Sequence, residues 1–188
     1  MDTSNHAALA VRLTEAACFA AECHWRQRRK GEAQEPYINH LTEVAFLLAS
    51  AVGDSDPDLI VAGYLHDTIE DAGVTREYLA LRFGENVASL VVEVTDDKAL
   101  DKQARKRAQI ENAPYKSVRA QWLKQADKIS NLRSLRNSPP AFWPHSRQLE
   151  YVLWAKQVLD GFPQPHPVLQ SEFLGVFSDL MGRLSRQE

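Results

Sequence analysis

Cysteine is nearly missing from this 188-residue chain: Cys18 and Cys23 are the only two. Five residues apart in one helical pattern, they have neither the spacing of a zinc knuckle nor that of a redox pair. A disulfide-stapled fold and a cysteine-held metal are therefore excluded. Buried free thiols in a reducing compartment are the expectation. No run reaches the ~20 apolar residues of a membrane span, and no basic segment followed by an apolar core opens the chain. A soluble cytoplasmic protein with no membrane partner is expected. Charge of one sign is also lacking. A formal net charge of −3 is too mild for a general nucleic-acid coat or a membrane-surface role. Strand-like alternation of polar and apolar residues is not found. Residues 87–94 are rich in valine, but they fit an amphipathic helix as well as a strand.

Helical periodicity fills almost everything else. With 44% hydrophobic and 25% charged residues, the composition is that of a globular protein long enough to bury a core. Apolar spacings of three and four predict helices over 4–28, 39–52, from Asp56-Pro57 through residue 71, 75–83, 85–94, 100–113, 117–133, 141–160 and 168–186. The punctuation is local. Gly53 and Gly84 stop helices, Asp56-Pro57 and Ser117 start them, Pro114 and Pro139-Pro140 break them, and 161–167 is a proline-rich linker. The reading is an all-α chain forming a compact orthogonal helical bundle. One domain over 1–188 is expected, with a core at about 5–161 and a linker and terminal helix over 162–188.

Chemistry concentrates in His66-Asp67-Thr68-Ile69-Glu70-Asp71. On one helix, positions 66, 67, 70 and 71 span roughly 140° of arc at ~100° per residue. One imidazole and three carboxylates would then share a face, with Val61, Leu65 and Ile69 anchoring the other. Packing gains nothing from clustered acids, which raise one another's pKa and repel; a divalent cation resolves the conflict. His40 lies before this stretch, and Asp127 after it among Leu123, Ala126, Ile129 and Leu132, a setting ill-suited to a freely solvated carboxylate. Two imidazoles and two carboxylates suit Mn, Fe or Zn, and the open positions that catalysis needs favour Mn. Two basic runs, Arg26 to Lys30 and Lys102 to Arg107, read equally as solvated helix faces or as anion contacts.

The ordered series His40, His66-Asp67, Asp127 resembles the HD-domain phosphohydrolases. Pro36-Tyr37-Ile38-Asn39-His40, the Glu70-Asp71 extension, Phe83-Gly84 with Val94-Thr95-Asp96-Asp97-Lys98, and Ala126-Asp127-Lys128 with Asn131-Leu132-Arg133 narrow it. They are similar to the hydrolase domain of the RelA/SpoT family, and most of all to its stand-alone small alarmone hydrolases, over about residues 5–161. The resemblance implies that His40, His66, Asp67 and Asp127 bind one Mn ion and that Glu70 and Asp71 are the catalytic acids. It places Arg29 and Lys30 beside a nucleotide base, Lys98 and Lys102 toward phosphates, Asn131 at the ribose, and Arg147 and Tyr151 near the nucleotide. Tyr151 reads equally well as a core residue.

The implied reaction is hydrolysis of guanosine 3′-diphosphate 5′-diphosphate or 5′-triphosphate, (p)ppGpp, releasing pyrophosphate from the 3′ position. Removal of the 2′-phosphate of NADPH is the competing activity, since a ribose phosphate would meet the same contacts. A non-catalytic nucleotide sensor is a second alternative, weakened by the presence of Glu70 and Asp71. Nucleic-acid binding through residues 102–107 is weaker still, given Asp101, Glu111 and the net negative charge. A homo-oligomer is left open.

Overall fold

The computed structural model describes residues 3–186, with side chains from residue 6 onward. Among these residues there are α-helices, one short 3-10 turn and no strand. The valine-rich stretch is helical, as one of its two readings had it. Backbone contacts divide the chain into two compact units: the chain through Gln27 with Pro36–Thr95, and Arg28–Glu35 with the chain from Asp96 onward.

The first unit holds α1 (Thr3–Cys23), α2 (Ile38–Val52), α3 (Pro57–Leu65), α4 (Thr68–Ala72), α5 (Arg76–Phe83) and α6 (Glu85–Val94). Helix α3 is its hub, packing on α1, α2 and α6. Its start is local chemistry: the Asp56 carboxylate accepts from the Leu59 amide at 3.1 Å, with Pro57 in the first turn. Its interior is apolar all round, with Leu59, Val61, Ala62 and Leu65 fully buried. Gly63 sets the approach to α2. A Cβ there would meet Leu48 Cδ1 at 2.8 Å and the Ala45 Cα at 3.1 Å, so only glycine lets these helices close so far.

Two expected helices end early. The helix foreseen through residue 71 stops at Leu65, and α4 covers only Thr68–Ala72. Side chains take carbonyls that the helical ladder would use: His66 Nδ1 bonds the Gly63 oxygen at 2.9 Å, and the Thr68 hydroxyl donates to the Leu65 oxygen at 2.6 Å. Helix α1 ends at Cys23 instead of reaching residue 28. The Gln27 amide closes a turn on the His24 oxygen at 2.9 Å. Nor are both thiols buried as expected. The stripe of α1 that enters the core is Ala16, Phe19, Ala20 and then His24, which leaves Cys18 exposed and Cys23 half-buried. Burial, then the charge of Glu22, pushes the Cys23 thiol up.

In the second unit, α8 (Val118–Asn137) packs on α9 (His145–Asp160) and α10 (Pro167–Leu184), while α7 (Lys102–Asn112) packs on α9. Asp101 caps α7, accepting from the amides of Gln103 and Ala104 at 2.8 and 2.9 Å. Ser117 caps α8 as expected. Helix α8 continues past Arg133 to Asn137, and α9 begins at His145, not at residue 141, because Pro144 sits extended at its N-cap. The loop over 28–35 is closed by the Arg29 amide on the Glu35 oxygen at 2.8 Å. It is pressed onto the turn after α8, where a Cβ on Gly31 would clash with the Ser138 carbonyl oxygen. Among the described residues, no helix is long and apolar enough to cross a membrane.

Candidate metal centre and anion-binding residues

His40 enters from the first turn of α2, and His66 and Asp67 occupy the break between α3 and α4. Their ligand atoms lie within 4.8 Å of one another. Both histidines are buried, the rings 5.2 Å apart edge to face. Asp67 Oδ2 stands 3.2 Å from His66 Nε2 and 3.7 Å from His40 Nε2.

The donor set itself shows that a cation fits. A carbonyl can only accept, so the bond from His66 to the Gly63 oxygen places the proton on Nδ1. In the neutral ring, Nε2 then turns a lone pair toward the Asp67 carboxylate. Two lone pairs at that distance repel, and a divalent ion converts the repulsion into coordination. Bonding of the distal ring nitrogen to a backbone carbonyl is the usual way in which a ligating histidine is oriented.

Tyr37, which the motif supplies without a role, donates its hydroxyl to Asp67 Oδ2 at 2.7 Å. Its ring packs edge-on against His40 at 5.4 Å and stacks on His24 at 5.2 Å. Glu70 and Asp71 lie on α4, and the Asp71 amide bonds the Asp67 carbonyl at 2.8 Å. Asp71 Oδ2 accepts from Gln27 Nε2 at 2.9 Å, a second partner not foreseen. The Pro36-Tyr37 motif carries no sign of this role, and nothing local distinguishes Gln27 from its basic neighbours.

The remaining expected site residues, Asp127, Arg29, Lys30, Lys98, Lys102, Asn131, Arg147 and Tyr151, belong to the second unit. Asp127 is buried as its apolar neighbours suggested. Its Oδ1 accepts from Asn131 at 2.6 Å and its Oδ2 from Lys128 at 2.9 Å, while Arg29 donates to Asn131 Oδ1 at 3.0 Å. Asn131, expected at a ribose, thus links Arg29 to Asp127. Lys128, next to Asp127 in the motif, is buried beside it. Burial works against its charge, but Asp127, Tyr151 and Asp96 together hold its pKa well above the ordinary lysine value. Its ammonium also lies 4.8 Å from the Trp154 ring centroid.

Lys30 and Lys102 are exposed, and so is Lys98. Burial first, then the positive charges of Arg147, Lys106 and Lys30, push the Lys102 pKa down, so these cations share one electrostatic neighbourhood. Arg147 stacks over Trp143 at 4.4 Å. Tyr151 is half-buried between Trp143 and Trp154, with centroids at 5.5 and 5.3 Å. Such a concentration of cations recruits anions.

Comparison with known proteins fits this geometry. The family model described as HD domain matches residues 16–156. Guanosine-3′,5′-bis(diphosphate) 3′-pyrophosphohydrolase MESH1 of Xenopus tropicalis is 44% identical over 170 residues, covering 90% of this chain and 95% of its own. The Homo sapiens protein of the same name is 44% identical over 168 residues, covering 89% and 94%. A solved structure described as a metazoan ortholog of SpoT that hydrolyses ppGpp superimposes with a TM-score of 0.85 at 39% identity, covering 89% of this chain and 94% of its own.

Proposed function

The chain belongs to the HD-domain family, among the pyrophosphohydrolases of the MESH1 type, and from that premise we propose that it hydrolyses the 3′-diphosphate of (p)ppGpp. The products are pyrophosphate and GDP or GTP. The observation that carries the reading is the convergence of His40, His66 and Asp67 within 4.8 Å, with Glu70 and Asp71 on the next short helix. These three residues would hold one divalent ion, Mn by the mixed imidazole and carboxylate donors. Asp127 is the fourth ligand of this proposal, on the order of the sequence motif and the family resemblance. When bound, such an ion supplies Lewis acidity toward water and a phosphoryl oxygen.

The chain's own groups do the rest. Glu70 and Asp71 orient the attacking water and take its proton. The water oxygen bonds to the phosphorus attached to the ribose 3′ oxygen, the P–O3′ bond breaks, and the 3′ oxygen takes up a proton as pyrophosphate departs. Lys98 and Lys102 bind the phosphates by charge-assisted hydrogen bonds, Arg29 and Lys30 flank the base, Asn131 meets the ribose, and Arg147 and Tyr151 border the nucleotide. A reducing cytoplasm suits the two free cysteines.

The test is turnover of guanosine tetraphosphate by Mn-loaded protein, with NADPH assayed in parallel. Pyrophosphate as product is expected. Orthophosphate, or turnover of NADPH alone, overturns the substrate assignment. Glu70→Gln with Asp71→Asn should lower kcat by about a hundredfold or more while bound metal stays constant; unchanged hydrolysis removes both acids from the mechanism.

A further inference from the structure

His24 lies outside the metal cluster, yet it is buried to 2% exposure one residue past the end of α1. Its Nδ1 lies 2.6 Å from Gln27 Oε1, and Gln27 Nε2 lies 2.9 Å from Asp71 Oδ2. The direction of this chain is forced. A carboxylate only accepts, so the Gln27 NH₂ must face Asp71, its carbonyl must face His24, and His24 must carry a proton on Nδ1. The other nitrogen, Nε2, is buried and has no hydrogen-bond partner among the described residues. Packing alone would be better served by an apolar ring there.

The same turn also bears on the metal carboxylate. The Tyr37 amide bonds the Gln27 oxygen at 3.1 Å, and the Tyr37 ring stacks on His24 while its hydroxyl holds Asp67. Asp71 needs such support. It is exposed on a five-residue helix that ends one residue later at a left-handed glycine. A carboxylate on so short an element samples several rotamers unless a fixed donor holds it.

We propose that His24 and Gln27 are positioning residues for catalysis: His24 locks the Gln27 amide, and the amide fixes the plane of the Asp71 carboxylate toward the attacking water. The inference rests on the reading of Asp71 as a catalytic acid, and its test separates the two. With Mn-loaded protein and guanosine tetraphosphate, Gln27→Ala should lower kcat on the order of ten- to a hundredfold, with KM and metal content unchanged. His24→Phe, which keeps the ring stack on Tyr37 but loses the donor, should lower kcat likewise. His24→Asn, whose amide can donate from near the Nδ1 position, should recover most of that loss.

In an Asp71→Asn background, Gln27→Ala should add nothing to the loss already present. Full turnover by Asp71→Asn alone would overturn the catalytic reading and the positioning role with it. A large loss in Asp71→Asn beside normal kcat in Gln27→Ala would overturn the positioning role only. So would a Gln27→Ala defect that appears in KM, or equal defects in His24→Phe and His24→Asn.

Discussion

In the first unit, His66 Nε2 and Asp67 Oδ2 face each other across 3.2 Å, while His66 Nδ1 is turned to the Gly63 oxygen. In the second, Asp127 is answered on both oxygens by Lys128 and Asn131. Asp67 takes a neutral hydroxyl from Tyr37 and stands beside two imidazoles, while Asp127 is met by an ammonium and an amide. The imidazole–carboxylate pair of the first unit thus invites a cation, whereas Asp127 is paired by groups of its own helix. Gly63 and the side-chain bonds at the α3–α4 break set where these donors stand.

Removing each carboxylate is the most direct way to break this contrast. Asp127→Ala leaves the 3%-exposed Lys128 as a buried cation without its main counter-charge, so stability should fall by about 3–5 kcal/mol in chemical denaturation. Asp67→Asn should leave metal-free stability nearly unchanged while weakening metal binding by more than ~100-fold, as measured by metal titration. Equal destabilisation by the two would erase the distinction. Full metal retention in Asp127→Asn, which keeps a polar partner for Lys128, would confine the ligand set to the first unit.

A smaller effect tests what holds these donors in place. Gly63→Ala forces α3 from α2 and should cost about 1–3 kcal/mol, with metal affinity falling in parallel; unchanged affinity would mean that the histidine spacing does not depend on that close approach. Smallest is Lys102→Ala. Removing one exposed cation from a cluster should raise KM for the tetraphosphate roughly three- to tenfold at constant kcat. A fall in kcat instead would give the second unit a share of the chemistry.

What could be read beforehand divides along the range of the forces involved. Helix starts at Asp56-Pro57 and Ser117, and stops at Gly53 and Gly84, are dictated by side chains within a few residues, so the pattern alone located them. His40, His66 and Asp67 were legible because their chemistry has little use in packing. The break after Leu65 was not legible: periodicity continues through it, and only the imidazole and hydroxyl of His66 and Thr68 interrupt the ladder. Pro144 was a visible signal for the start of α9 that the aromatic periodicity overrode. Tyr37 and Gln27 had no local signal, because each acquires its role from a partner about 30 or 44 residues away. Lys128 was hidden for a similar reason, since its Trp154 and Tyr151 neighbours come from another helix.

The loop over 28–35 has an engineering consequence. It is clasped at its base by the Arg29–Glu35 bond, and fastened to α8's exit by Gly31, Glu32 and Ala33 through Ser138 and Pro139. Between those anchors only Gln34 sits in a left-handed conformation, at φ 46°, where glycine or asparagine would be more at ease. The loop is therefore a cassette. Its exposed tip can be lengthened, shortened or exchanged for a relative's at little cost to the fold, because the anchors that hold the loop lie on either side of it.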